Sequence, residues 1–198
     1  MRTLTKDMQT AMTPASALQL LKNGNQRFIK NLKLHRNLLE QVNETSEGQH
    51  PFAVILGCID SRISAELVFD QGLGDIFSVR VAGNVVNEDV VGSLEFACKL
   101  AGAKIVLVLG HTRCGAVKGA CDGVQLGNLT ALLNKIKPAV VNTDHTAFDP
   151  DDRHAFVNAV AEKNVHHVMD EICRASDILD EMLKNGEIGI VGGMYDVE

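Results

Sequence analysis

The chain contains no tryptophan, no dense run of lysine or arginine, and no stretch approaching the ~18 consecutive apolar residues that cross a bilayer. The missing apolar run excludes a membrane-spanning helix. The missing basic run, with a formal net charge of −6, argues against a nucleic-acid surface. Residues 1–9 carry charges without an apolar core, so no secretory signal is expected and the cytoplasm is the expected location. Internal repeats, low-complexity tracts and linker-like stretches are absent too. The 198 residues are therefore expected to form one domain, a helical arm over 1–50 followed by an α/β body over 51–198. The five cysteines (58, 98, 114, 121 and 173) are odd in number and lack the spacing of a small disulfide scaffold. Metal binding or buried free thiols fit better, and Cys98, Cys121 and Cys173 are expected as small apolar packing residues.

What is present is a change of rhythm near residue 52. Before it, Thr13-Pro14 reads as a helix cap followed by proline in the first turn, with Leu18, Leu21, Phe28 and Leu32 as a loose apolar stripe. After it, apolar runs alternate with helical patterns. Strands are predicted at 52–57, 76–80 and 105–109, with helices near 63–70 and at 88–101 and 115–121. Helices at 127–141 and 152–184 and a last strand at 188–191 complete the prediction. That alternation implies a mostly parallel central sheet flanked by helices, with right-handed crossovers.

Two motifs follow predicted strands. Cys58-Ile-Asp60-Ser-Arg62 follows the first, and His111-Thr-Arg-Cys114-Gly115 follows the third. In a parallel sheet both fall at the carboxyl ends of buried strands, where such folds place their chemistry. Cys58, His111 and Cys114 offer three zinc ligands and leave the fourth position of a tetrahedron open, the mark of a catalytic ion. Asp60 is near enough either to fill that position or to stand beside it. A purely structural zinc would more naturally use four Cys/His ligands and has no use for a charged Asp-Arg pair.

The paired motif resembles that of the β-class carbonic anhydrases, and the resemblance spans most of the chain. It implies a Zn2+ cofactor and the reversible hydration of carbon dioxide to bicarbonate. Asp60 would accept a hydrogen bond from zinc-bound hydroxide while Arg62 holds Asp60 away from the metal. Gln49, nine residues before Cys58, matches a glutamine that hydrogen-bonds substrate in many members. Phe77, Val81 and Ala82 would supply an apolar wall, and the Gly115 amide would support bicarbonate. In some members the aspartate coordinates zinc at lower pH, a closed state that Asp60 is placed to reach. The family's basic unit is a homodimer, often paired into a dimer of dimers, with the N-terminal helices extending onto the partner subunit.

The chain departs from the family pattern at Val81, where many members have Asn, and at Phe96, where some plant-type enzymes carry Tyr. Without tryptophan, the noncatalytic bicarbonate site of some members is expected to be absent, although Arg80 matches its arginine. The chain also stops soon after Tyr195, where members usually run further. Relatives on the same scaffold hydrolyse carbonyl sulfide or carbon disulfide, which is the alternative enzyme reading. A zinc-stabilised interaction module without turnover is the reading from another class. None of the six histidines other than His111 is assigned as a proton shuttle.

Overall fold

The computed structural model of the protein describes residues 3–149 and 151–198. A short helix α1 (Lys6–Ala11) precedes α2 (Pro14–Ile29), whose start is a reciprocal cap. The Thr13 hydroxyl accepts from the Ser16 amide, the Ser16 hydroxyl accepts from the Thr13 amide, and Pro14 occupies the first turn. Then come α3 (Leu38–Glu44), β1 (Ala53–Gly57), α4 (Ala65–Val68) and β2 (Ile76–Arg80). A 3-10 turn (Ala82–Asn84) leads to α5 (Glu88–Glu95), which widens into a π-turn over Phe96–Leu100 before β3 (Ile105–His111). The remainder is α6 (Gly115–Cys121), α7 (Gly127–Asn134), α8 (Lys137–Val141), α9 (Arg153–Ala175), α10 (Asp177–Lys184) and β4 (Gly189–Tyr195).

Among the described residues the strands form one parallel sheet in the order β2-β1-β3-β4. The central strands β1 and β3 are buried along their whole length, as continuous Val/Ile/Leu runs require, whereas the edge strands alternate. Because side chains alternate across a strand, Val54, Leu56, Val106 and Val108 pack on one face with Leu94, Val168, Ile172 and Leu179. Ala53, Ile55, Leu107 and Leu109 pack on the other with Ala17, Leu21 and Phe69. A third cluster caps the carboxyl end of the sheet and includes Cys58, Cys114, Val117, Leu133, Ile136 and Val160.

Three predicted helices are broken. The 88–101 prediction ends as the π-turn. The 127–141 prediction splits at 135–136, because Pro138 lacks an amide hydrogen and starts a new helix rather than continuing the old one. The 152–184 prediction splits at Ser176, whose extended backbone (φ −139°, ψ 104°) lets its hydroxyl cap Leu179 at 3.1 Å and donate to Glu95 Oε1 at 2.6 Å. The last strand starts at Gly189 and runs on to Tyr195. Leu32 lies beyond α2 and is exposed.

The chain between α2 and α3 is tied to the body through Asp70, which is buried at the end of the α4 segment. Its carboxylate accepts from Arg27 Nε, from Arg36 Nη1 at 2.6 Å and from the Leu34 amide at 3.2 Å, and its carbonyl accepts from both guanidiniums. Burial opposes the charge, but these donors outweigh it and hold the carboxyl below its ordinary pKa.

Candidate metal centre

Parallel register delivers the site. Gly57, the last residue of β1, pairs with Leu109 of β3, so Cys58 and His111 emerge from adjacent strands at the same edge of the sheet. The turn after His111 passes through Arg113 in the left-handed region (φ 55°) and returns Cys114 as the cap of α6. Cys58, His111 and Cys114 are all buried, their ligand atoms lie within 4.8 Å of one another, and the two sulfurs are 4.0 Å apart.

These residues fit a zinc ion. Two zinc–sulfur bonds at a tetrahedral angle separate the sulfurs by about 3.8 Å. His111 Nδ1 donates to the Thr112 carbonyl at 2.8 Å, which leaves Nε2 as the ligand atom, and that buried Nε2 has no hydrogen-bond partner among the described residues. The Cys114 hydrogen bond pulls the Cys58 thiol down to about 4 against the opposing effect of burial, helped by His111 and by the Gly83 and Asp60 amides. The same bond and burial push Cys114 up, although the Val117 and Ala116 amides of α6 favour its thiolate. On His111, burial opposes charge, but the Cys58 sulfur outweighs it and raises the imidazole pKa.

Asp60 is turned away from this trio and onto Arg62. Its Oδ1 accepts from Arg62 Nε at 2.9 Å and from the Arg62 amide at 3.0 Å, and its Oδ2 accepts from Nη2 at 2.8 Å. The Arg62 side chain holds the Asp60 carboxyl well below the usual carboxylate range. Arg80 clamps the same loop from β2, donating to the Cys58 carbonyl at 3.0 Å and to the Asp60 carbonyl at 2.8 Å. Beside Cys58 and Asp60 opens a cavity of about 460 Å³ whose wall includes Ile59, Ala82, Gly115, Ala116, Leu129 and Leu133.

A family profile for carbonic anhydrase matches residues 53–198, which include every residue of this centre. Carbonic anhydrase 2 of Mycobacterium tuberculosis is 34% identical over 191 residues, covering 93% of this chain and 89% of the relative. The chain belongs to the β-carbonic anhydrase family. The carbonic anhydrase of Mycolicibacterium smegmatis is likewise 34% identical, over 92% of this chain and 88% of its own. A tetrameric β-carbonic anhydrase of Sordaria macrospora shares the fold, with a TM-score of 0.73 at 23% identity over 92% of both chains.

In this β-carbonic anhydrase the remaining predicted site residues are dispersed. Ala82 and Gly115 line the cavity, whereas Gln49, Phe77 and Val81 are not among its lining residues. Gln49 is exposed on the approach to β1. Phe77 meets Phe96 edge-on at 6.2 Å, and Val81 packs between the clusters at the sheet face and the sheet end. All five cysteines are free. Cys98 is buried, and burial pushes its thiol up to about 12, while Cys121 and Cys173 are only partly buried.

Sequence reading missed the second layer of the site. The Gly83 amide donates to Cys58 Sγ at 3.3 Å. Thr112 donates to Asp196 Oδ1 at 2.9 Å and accepts from the Val197 amide at 3.0 Å, which fastens the C-terminal segment to the ligand turn. Arg113 also pairs with Glu198. The one available signal was Asn164, a polar residue on the stripe formed by Val160, Ala161, Val165 and Val168.

Proposed function

We propose that the protein is a zinc carbonic anhydrase that converts carbon dioxide and water to bicarbonate and a proton, and back. The observation that carries this reading is the buried Cys58–His111–Cys114 trio beside an Asp60 whose two oxygens are both committed to Arg62. A zinc ion held by these three residues would supply a nucleophile at neutral pH by acidifying water. Asp60, kept ionised by Arg62, accepts a hydrogen bond from the attacking water and fixes its orientation. Arg80 holds the carbonyls on either side and so keeps the Asp60 loop in place. The apolar wall, including Ala82, Leu129 and Leu133, receives a nonpolar gas and excludes competing water. In this reading Gly115, with Ala82, is a substrate contact on the cavity wall, and Asp60 becomes a metal ligand only in a closed state that breaks its three hydrogen bonds from Arg62.

The partner in this reading is a second copy of the chain. Ile29, Leu32, Leu38, Leu39 and Val42 all expose apolar surface on the N-terminal arm, and sedimentation equilibrium tests whether the chain is a dimer or a dimer of dimers. Among the described residues no helix is long and apolar enough to cross a membrane. The five free cysteines support a reducing compartment, the cytoplasm.

The deciding experiment measures zinc per chain and stopped-flow carbon dioxide hydration at pH about 8.5 for the parent, Cys58→Ser and Asp60→Asn. The parent binds one zinc and turns over, Cys58→Ser loses metal, and Asp60→Asn keeps metal but loses rate. Zinc binding without hydration above buffer overturns the reading. Competing rates on carbon dioxide and carbonyl sulfide separate it from the sulfide-hydrolase alternative.

A further inference from the structure

We propose that Asn164 is a positioning residue for the metal centre: from α9 it holds Gly83 so that the Gly83 amide faces the Cys58 sulfur, and thereby sets how strongly that sulfur donates to a bound metal. The inference rests on the metal-centre reading above and goes beyond the three ligands.

Asn164 is wholly buried on the apolar stripe of α9. Its Nδ2 donates to the Gly83 carbonyl at 2.9 Å, and its Oδ1 has no partner among the described residues, so this is its single described hydrogen bond. A flipped amide would set oxygen against oxygen, which fixes the orientation. Gly83 is gripped from both sides, its carbonyl by Asn164 and its amide by Cys58 Sγ at 3.3 Å. Only glycine suits the position. Its φ is +67°, and a Cβ there would meet Ile136 Cδ1 at 2.7 Å and Ala116 Cβ at 3.3 Å.

An apolar residue at 164 would pack in the same stripe but would strand a buried carbonyl. More than packing is at stake, because the residue whose carbonyl is held is the one whose amide reaches a ligand. Two thiolates cancel the charge of a divalent ion and weaken it as a Lewis acid. A hydrogen bond to a ligand sulfur withdraws electron density and opposes that loss. Asn164 therefore acts on the metal through Gly83 and Cys58 without touching substrate.

The test is the absorption spectrum of the cobalt(II)-substituted protein, in which the sulfur-to-metal charge-transfer band reports thiolate donation. Asn164→Leu and Asn164→Met both remove the donor at similar volume, and circular dichroism shows which of them folds. Each folded variant is expected to show the band at longer wavelength than the parent, with the acid limb of kcat for hydration moved to higher pH. Leu21→Ala, a core truncation on α2 in a different core cluster from Cys58 and Cys114, lowers stability and leaves the band in place. A band that stays at the parent wavelength in the Asn164 variants, or that moves equally in Leu21→Ala, overturns the inference alone. A parent that takes up neither cobalt nor zinc overturns both this inference and the metal-centre reading.

Discussion

Asp70→Asn isolates one charge that fastens the N-terminal arm. Asparagine keeps the size of the side chain and tolerates the left-handed backbone at this position (φ 45°), so the substitution removes the charge and replaces one of two acceptor oxygens with an NH2 group facing other donors. The Asp70 and Arg36 side chains are only 3% and 7% exposed, whereas Arg27 is 29% exposed and can turn to water. The cost is therefore mainly that of leaving Arg36 buried and uncompensated, about 3–5 kcal/mol for breaking a buried pair. The lower end is expected, because the Asp70 carbonyl still accepts from both arginines and the asparagine oxygen still accepts one bond. Urea unfolding at fixed protein and zinc concentration should show a loss of about 3 kcal/mol at pH 7 with an unchanged slope, a midpoint lower by roughly 1 M or more. Since the folded-state pKa of Asp70 is depressed, its contribution is complete above the unfolded value of about 3.9 and is lost as pH falls through the folded value. The gap between parent and variant should thus begin to narrow below about pH 4 and close only below the folded-state value. A loss under about 1 kcal/mol at pH 7, or a gap that persists unchanged to pH 3, refutes the reasoning.

Two further outcomes follow from the second layer of the site. Arg80→Met keeps the apolar stem but frees the carbonyls of Cys58 and Asp60. Stopped-flow hydration should fall about 10- to 100-fold in kcat/KM, while zinc content stays at one per chain, as expected for two charge-assisted hydrogen bonds that hold Asp60 rather than the metal. Asp196→Ala removes the acceptor for the Thr112 hydroxyl beside His111. Competition with a chelator should show metal affinity weakened by about tenfold, and an unchanged affinity would remove the C-terminal segment from the ligand support.

The strands and the grouping of Cys58, His111 and Cys114 were legible because each rests on a strong local signal. Val54–Leu56 and Ile105–Leu109 are short unbroken apolar runs, each closed by a glycine as a buried parallel strand often is, and it is the pairing of a Cys motif and a His motif at their carboxyl ends that carries the signal. Helix continuity was less legible. The apolar stripe from α9 into α10 keeps its period across Ser176, so periodicity alone cannot see that the serine turns its hydroxyl to Leu179 and Glu95. Pro138 did carry a signal for the break between α7 and α8. The second layer was hardest to read, because Gly83, Thr112 and Asn164 act through backbone atoms or across 81 residues of sequence, and no spacing rule links a glycine turn to a distant helix.

That distant helix touches every segment that carries a candidate ligand while, among the described residues, supplying none itself. Asn158 of α9 accepts from the Arg113 amide at 2.9 Å, between His111 and Cys114. Val165 and Ala161 lie so close to Gly110 that a Cβ there would come within 2.5 Å of the Val165 side chain and 3.6 Å of the Ala161 carbonyl. Asn164 holds the turn over Cys58. Two turns of one helix thus serve as a jig against which the three candidate ligands are set. Substitutions along residues 158–165 are then expected to move Cys58, His111 and Cys114 together as a set, so the spacing of the centre depends on a helix that contributes none of the three.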